Sequence, residues 1–210
     1  MLTLKELFSE FDLSAKGIDD FEKFYPRYSE HNHRLWDRYT KGIIKQDELR
    51  WKRMWLTLLD FKIANEPLAR NMSQRYLEIL PTQKMLFPHT TEILNYLQDK
   101  GYHMHIISNG FEEVQHRKLT NANLKKFFKE IVTSEASGYV KPAKGIFDFA
   151  LQKTNAALQE SIMIGDNLNA DIKGAMDAGM DTIFVNHINE KTELTPTYTI
   201  KHLQQLEDIL

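Results

Sequence analysis

Apolar residues recur at helical spacing through the first part of the chain and at strand spacing only later. Leu4, Leu7, Phe8 and Phe11 lie three or four apart and predict an opening helix. Asp19 or Asp20 can cap a second, with Phe21, Phe24, Tyr25, Tyr28, Leu35, Trp36 and Tyr39 along one broad side. Pro26 sits early in it and predicts a late start or a kink. A third helix from about Gln46 carries Leu49, Met54, Trp55, Leu58 and Leu59. Asn65 and Pro67 open a fourth with Leu68, Met72, Tyr76 and Ile79. No convincing strand falls before about residue 80. The pattern is that of a four-helix bundle, and its tryptophans Trp36, Trp51 and Trp55 read as bundle core or as part of a pocket wall. Lys52 and Arg53 read as solvated.

From Pro88 the pattern alternates. Thr90 can cap a helix through Ile93 and Leu97, and a strand Tyr102 to Ile107 follows. It ends in Ser108-Asn109-Gly110. A helix with Val114 and Leu119, a short strand Glu130 to Thr133 and a long turn to Lys141-Pro142 come next. Gly145 to about Asn155 is helix. Ser161 to Ile164 is a strand apolar enough for burial on both faces. Gly165 ends it, Asp166 stands at its tip, and Asn169 to Ala175 starts a helix. Thr182 to Val185 and Tyr198 to Ile200 are further strands, and His202 to Leu210 a closing helix. Strands alternating with helices predict right-handed crossovers and a parallel, Rossmann-like α/β sheet. The expected organisation is a helical domain over 1–84 and an α/β core over 85–210.

Composition narrows the function. The 210 residues carry 27 Lys+Arg against 29 Asp+Glu, a net charge of -2. That gives no basic field for a nucleic-acid polymer or an anionic membrane. Cysteine is absent, which removes disulfides, thiolate metal sites and a Cys nucleophile. No apolar run approaches a membrane span, and the N-terminus lacks the features of a signal peptide, so a cytoplasmic protein is expected.

The candidate chemistry sits at strand ends, where open α/β sheets gather ligands. Asp166 and Asp171, five apart across a turn, can approach one hard cation such as Mg²⁺, or can simply cap the next helix. Ser108, Asn109 and the N–H groups beside them suit a phosphate, or form a plain helix cap. Asn109 touches substrate or holds the turn. Lys141 can offset charge on a phosphoryl oxygen; taken alone, a lysine in such a loop is solvated. Glu135 can orient Lys141 through an ion pair. Asn167 and Asn169 serve the turn, and His187, just past a strand end, could contact substrate. His31 with His33, and His103 with His105, have Zn²⁺-like spacing but no third ligand, and read as polar faces.

Order and spacing add to these residues. Ser108-Asn109-Gly110 after a strand, Lys141-Pro142 about thirty residues on and Gly165-Asp166 with Asp171 five later resemble the second, third and fourth motifs of the haloacid-dehalogenase-like hydrolase superfamily. The helical block resembles the cap of one subclass. Phe21 to Phe61, with Thr133 to Pro142, resembles the bacterial pyrimidine 5′-nucleotidase branch. The resemblance implies a Mg²⁺-dependent phosphomonoester hydrolase acting on a small phosphorylated metabolite, a pyrimidine nucleoside 5′-monophosphate, as monomer or homodimer. Ser108, Asn109 and Lys141 would bind substrate, Lys141 would take part in catalysis, and Asp166 and Asp171 would hold metal. A 2-haloacid dehalogenase, or a non-catalytic remnant that binds a phosphorylated ligand, are the alternatives.

One part of that pattern is missing. The resemblance implies a first strand ending in Asp-x-Asp, whose first carboxylate becomes an aspartyl-phosphate and whose second handles protons. No Asp-x-Asp occurs in the chain, and Phe11-Asp12-Leu13-Ser14 lacks the second carboxylate. The chain is therefore expected to begin late, inside the cap, and to be inert by itself. In the family the lost strand lies between those ending at Ser108 and Gly165. Its absence leaves unpaired backbone groups costing about 1–3 kcal/mol each, against a total stability of about 5–15 kcal/mol. Poor folding, or closure of the gap by another strand or chain, is expected.

Overall fold

A computed structural model describes residues 1–210. The chain divides into two compact units, Met1–Gln83 and Lys84–Leu210.

The first unit contains the helices α1 (Leu2–Glu10), α2 (Phe21–Thr40), α3 (Gln46–Asp60) and α4 (Glu66–Ile79). Packing runs α1 on α2, α2 on α3, α3 on α4 and α4 back on α1, which closes a bundle. Caps set the helix starts. Asp20 Oδ1 accepts the Lys23 N–H at 2.8 Å, and Asn65 Oδ1 accepts the Leu68 N–H at 3.0 Å. Because Asp20 fixes the start, α2 begins five residues before Pro26 and runs through it, so the expected late start is absent. Asn65→Ala is expected to cost about 1 kcal/mol in a urea titration, the usual loss for a helix cap.

Leu7, Leu13, Ile18, Phe24, Met54, Leu58 and Met72 fill the core. Phe8 and Phe24 touch with ring centroids 5.8 Å apart. Trp55 packs partly buried on that core, and Trp51 lies under the Arg70 guanidinium at 4.1 Å. Arg53, expected in solvent, is only 3% exposed. Its guanidinium lies 4.5 Å over the Tyr76 ring, and Nη1 donates to Asn32 Oδ1 at 3.3 Å. An apolar stem and a flat cation suited to an aromatic face let an arginine enter a bundle where a lysine would stay out. His31 is buried as well, with Nε2 2.8 Å from Asp60 Oδ2.

The second unit alternates helix and strand: α5 (Thr90–Asp99), β1 (Met104–Ser108), α6 (Glu112–Asn121), β2 (Phe128–Thr133), α7 (Ser134–Ser137), α8 (Lys144–Thr154), β3 (Ile162–Gly165), α9 (Gly174–Ala178), β4 (Asp181–Val185) and β5 (Tyr198–Ile200). Thr90 is the first residue of α5 rather than its cap; its hydroxyl donates to the Phe87 carbonyl at 2.8 Å. The closing segment Leu203–Asp208 is a 3₁₀ turn rather than an α-helix. Gln205 Oε1 accepts the N–H groups of Lys201 and His202 at 2.8 and 3.1 Å, which winds the chain tight at its start. No helix is long and apolar enough to cross a membrane.

All strand pairings are parallel, but they form two sheets rather than one: β1 with β2, and β3-β4-β5 in that order. Ser108 is in register with Thr133, and Gly165 with Phe184. β4 has a neighbour on both edges, and its Thr182, Ile183 and Phe184 are buried. β3 was expected to be buried on both faces, yet Ile162, Met163 and Ile164 are only half-buried. The reason is lateral: β3 bonds only β4, so its other edge is open.

His105 on β1 has its Nδ1 buried without a hydrogen-bond partner. Desolvation holds its pKa below the ordinary imidazole value, against the pull of Glu130; His103 and Lys129 add to the lowering. The unfolded chain then binds more protons than the native one at mildly acidic pH, so stability falls as pH drops through the unfolded histidine range. A urea midpoint that decreases between neutral pH and about pH 5.5, with the decrease reduced in His105→Phe, is the expected result.

Candidate active site at the carboxyl ends of the strands

The C-terminal ends of β1 and β3 are tied together by one side chain. Lys141 Nζ donates to the Ile107 carbonyl at 2.7 Å and to Asp171 Oδ1 at 2.6 Å. Both ionic side chains are buried, each 10% exposed. Lys141 is thus not a solvated loop lysine. Its place follows from its backbone: Asn109 Oδ1 accepts the Lys141 N–H at 2.7 Å, and Asn109 Nδ2 donates to the Lys141 carbonyl at 2.9 Å. This reciprocal amide pair locks the turn after β1 to the loop after α7. Asn109 therefore holds the turn. Ser134 Oγ adds a bond to the Asn109 carbonyl at 3.2 Å.

Ser108, the last residue of β1, accepts the Gly110 N–H on its hydroxyl at 3.0 Å. The chain then enters α6, whose first turn carries Glu112 and Glu113. Glu135, expected to orient Lys141, accepts the Glu112 N–H at 2.9 Å, and the carboxylate beside Lys141 is that of Asp171. A buried ammonium needs a buried anion at contact distance, and a short loop helix leaves Glu135 nearer α6 than the strand ends.

Asp171 is held from three sides. Oδ1 takes Lys141, Oδ2 accepts the Asn167 N–H at 3.2 Å, and Gly165 gives it room. A Cβ on Gly165 would lie 2.5 Å from Asp171 Cβ and 2.6 Å from Oδ2. The segment Leu168–Lys173 winds as a wide turn before α9, with the N–H groups of Asp171 and Ile172 both reaching the Asn167 carbonyl, at 2.9 and 3.2 Å. Such widened turns aim a side chain differently from an α-helix. Asn167, not either aspartate, caps this turn by accepting the Ala170 N–H at 2.7 Å. Gly174 then lets the helix approach the lysine loop: a Cβ there would lie 2.9 Å from Pro142 Cα.

Asp166 stands apart from this network. It is exposed at the tip of β3 and lines a cavity of about 840 Å³ with Phe87, Ile164, Val185, His187 and Leu203. The Phe87 and His187 rings face one another there, 5.0 Å between centroids. No group of three or more His, Asp or Glu side chains is gathered for a metal ion. Asp166 suits a hard cation, with an exposed carboxylate free to take oxygen coordination, and Mg²⁺ commonly needs only one or two carboxylates besides water and phosphate. Asp171, as placed, serves Lys141.

The structure thus joins Asn109, Lys141 and Asp171 through hydrogen bonds, with Ser108 next to Asn109 at the tip of β1, and puts Asp166 at the end of β3. Sequence reasoning missed the Ile107 carbonyl, the clearance role of Gly165 and the wall made by Phe87. A backbone acceptor leaves no trace in residue type. The strand-breaking glycine was visible, but its reason needed Asp171 in place.

These features meet their counterparts in known proteins. The family model for haloacid dehalogenase-like hydrolases matches residues 53–185. The putative HAD-hydrolase YfnB of Bacillus subtilis (strain 168) is 30% identical over 187 residues, 88% of this chain and 78% of YfnB. Pyrimidine 5′-nucleotidase YjjG of Escherichia coli (strain K12) is 29% identical over 212 residues, 99% of this chain and 89% of that protein. The crystal structure of YfnB bound to magnesium superposes with a TM-score of 0.88 at 28% identity, covering 99% of this chain and 89% of YfnB. Sequence over most of the length and backbone over nearly all of it place this chain in the haloacid dehalogenase-like hydrolase family.

Proposed function

We propose that this chain serves the hydrolysis of phosphomonoesters, with a pyrimidine nucleoside 5′-monophosphate as substrate. The observation that carries the reading is the hydrogen-bonded set Asn109, Lys141 and Asp171 at the carboxyl ends of the strands, with Ser108 next to Asn109 at the tip of β1. The likeness to YjjG supports the nucleotide.

The Ser108 hydroxyl, at the end of β1 and just before α6, holds a phosphoryl oxygen, since a hydroxyl donor near a helix N-terminus favours an anion. Asn109 keeps this donor in register with Lys141. Lys141 offsets the phosphoryl charge, and its pairing with Asp171 fixes the ammonium in one position before substrate arrives. Mg²⁺, held by Asp166, would supply further positive charge against the phosphoryl group. The 210 residues hold no Asp-x-Asp, so a chain of these residues alone binds the nucleotide without turning it over.

The test is calorimetric titration of uridine 5′-monophosphate, with Mg²⁺, into the 210-residue chain, alongside phosphate release from an aryl phosphate. Binding weakened about tenfold or more by Ser108→Ala or Asp166→Ala, with no phosphate release, is expected. Absence of nucleotide binding overturns the substrate. Turnover that Asp166→Ala abolishes overturns the inert-chain reading while leaving the site in place.

A further inference from the structure

The helical unit buries a cation with no anion beside it. Arg53 of α3 is 3% exposed. Its Nη1 donates to Asn32 Oδ1 of α2 and its Nε to the Arg50 carbonyl, both at 3.3 Å, and both acceptors are neutral. The Tyr76 ring of α4 covers one face of the guanidinium at 4.5 Å and offsets part of its charge. Nη2 is buried and has no hydrogen-bond partner. No carboxylate stands within ion-pair distance: Asp60 and Glu48 of the same helix pair with His31 and Lys52, and Glu78 of α4 pairs with Arg75. Lys141, the buried cation of the second unit, has Asp171 at 2.6 Å. A buried ion without opposite charge is costly, so Arg53 is the outlier of the two.

A second donor belongs to the same cluster. The Tyr28 ring of α2 lies 6.0 Å from the Tyr76 ring that carries the guanidinium. Its hydroxyl is buried and likewise has no hydrogen-bond partner. Desolvation holds that hydroxyl far above the ordinary phenol pKa; the Arg53 charge pulls the other way, and Tyr76 adds to the rise. The hydroxyl therefore keeps its proton, within the field of Arg53. One N–H on a cation and one O–H are thus buried together without an acceptor.

We infer that the helical unit binds a monatomic anion, chloride in a cell, between Arg53 Nη2 and the Tyr28 hydroxyl. The ion accepts from both donors and neutralises the guanidinium. One atom is the size that suits groups closed to solvent, whereas phosphate or sulfate would need room for four oxygens. Water would satisfy the two donors, but it would leave its own hydrogens without acceptors and the charge unbalanced. Bound there, the anion ties α2 to α3, and through the Tyr76 ring to α4. It uses no residue at the strand ends, so it is independent of the phosphatase reading.

The experiment is thermal unfolding of the 210-residue chain at fixed ionic strength while chloride replaces acetate, with anomalous diffraction from crystals grown in bromide. The wild-type midpoint is expected to rise with each tenfold step in chloride, as for a ligand that binds only the native state. Tyr28→Phe removes one donor and should shift the response to about tenfold higher chloride. Arg53→Met should abolish it. General salt effects are common to all three chains and cancel in the comparison. If Arg53→Met does not fold, Tyr28→Phe, which loses only a buried hydroxyl, carries the comparison. A bromide peak in contact with Arg53 Nη2 and Tyr28 Oη is the expected density. An equal chloride response in wild type and variants, no response at molar chloride, or no bromide peak at Arg53 overturns the site.

Discussion

Replacing Lys141 by alanine is expected to destabilise the chain by about 3–5 kcal/mol, the cost of leaving a buried partner charge uncompensated. Asp171 is 7% exposed, and its Oδ1 accepts from Lys141 at 2.6 Å. Without the ammonium, its carboxylate keeps only the Asn167 N–H. The Ile107 carbonyl also loses its donor. That loss is a large share of a typical domain stability of about 5–15 kcal/mol, so the variant sits near the unfolding threshold at room temperature. The double variant Lys141→Met with Asp171→Leu removes both charges and keeps apolar bulk. It is expected to recover most of the loss, since buried pairs are often replaceable by packed apolar groups. Guanidinium titrations of the wild-type, single and double variants decide it. A Lys141→Ala change below about 1 kcal/mol would show that the pair is solvated.

Gly165→Ala is expected to cost about 1–3 kcal/mol, the usual range for overpacking. The added methyl would meet Asp171 Cβ at 2.5 Å and Cγ at 2.7 Å, and these atoms lie close to the backbone and cannot swing away. Moving Asp171 lengthens its bond to Lys141, so the two substitutions act on one interaction. Their combined effect should fall short of the sum. Asp166→Ala, one residue on, should leave the guanidinium midpoint within about 0.5 kcal/mol because the side chain is exposed, while still reducing nucleotide binding. Additivity of Gly165→Ala with Lys141→Ala would show that the glycine serves something other than the carboxylate behind it.

The order of elements was legible from residue periodicity. Asp20 and Asn65 announced their helices as caps, and the apolar stripes of α1 to α4 announced a bundle. Parallel pairing followed from alternation of strand and helix. The candidate site was legible as residue types at strand ends. Which of them bond to one another was not. Lys141 was legible as a phosphate-side cation only through its motif, since taken alone it reads as a solvated loop lysine, and Glu135 read as its partner because sequence distance favours near neighbours. Asp171 is thirty residues from Lys141 yet bonds it directly.

Burial was also misjudged where it depended on lateral neighbours. Ile162 to Ile164 are as apolar as a central strand requires, and residue type carries that information. Their exposure depends on whether a strand lies beside them, which local sequence does not encode. Arg53 shows the reverse: a charged residue type, buried because Tyr76 and Asn32 happen to meet its flat head.

The chain's own sequence determined the elements, their order, the two-part organisation and the kinds of groups offered at the strand ends, because these depend on periodicity, caps and residue chemistry within short windows. Only the tertiary structure decided that Lys141 pairs with Asp171, that Gly165 makes room for it, and that β1 bonds only β2 while β3 bonds only β4. Those outcomes depend on groups distant along the chain brought into contact, where desolvation selects charge partners and hydrogen-bond geometry selects strand neighbours.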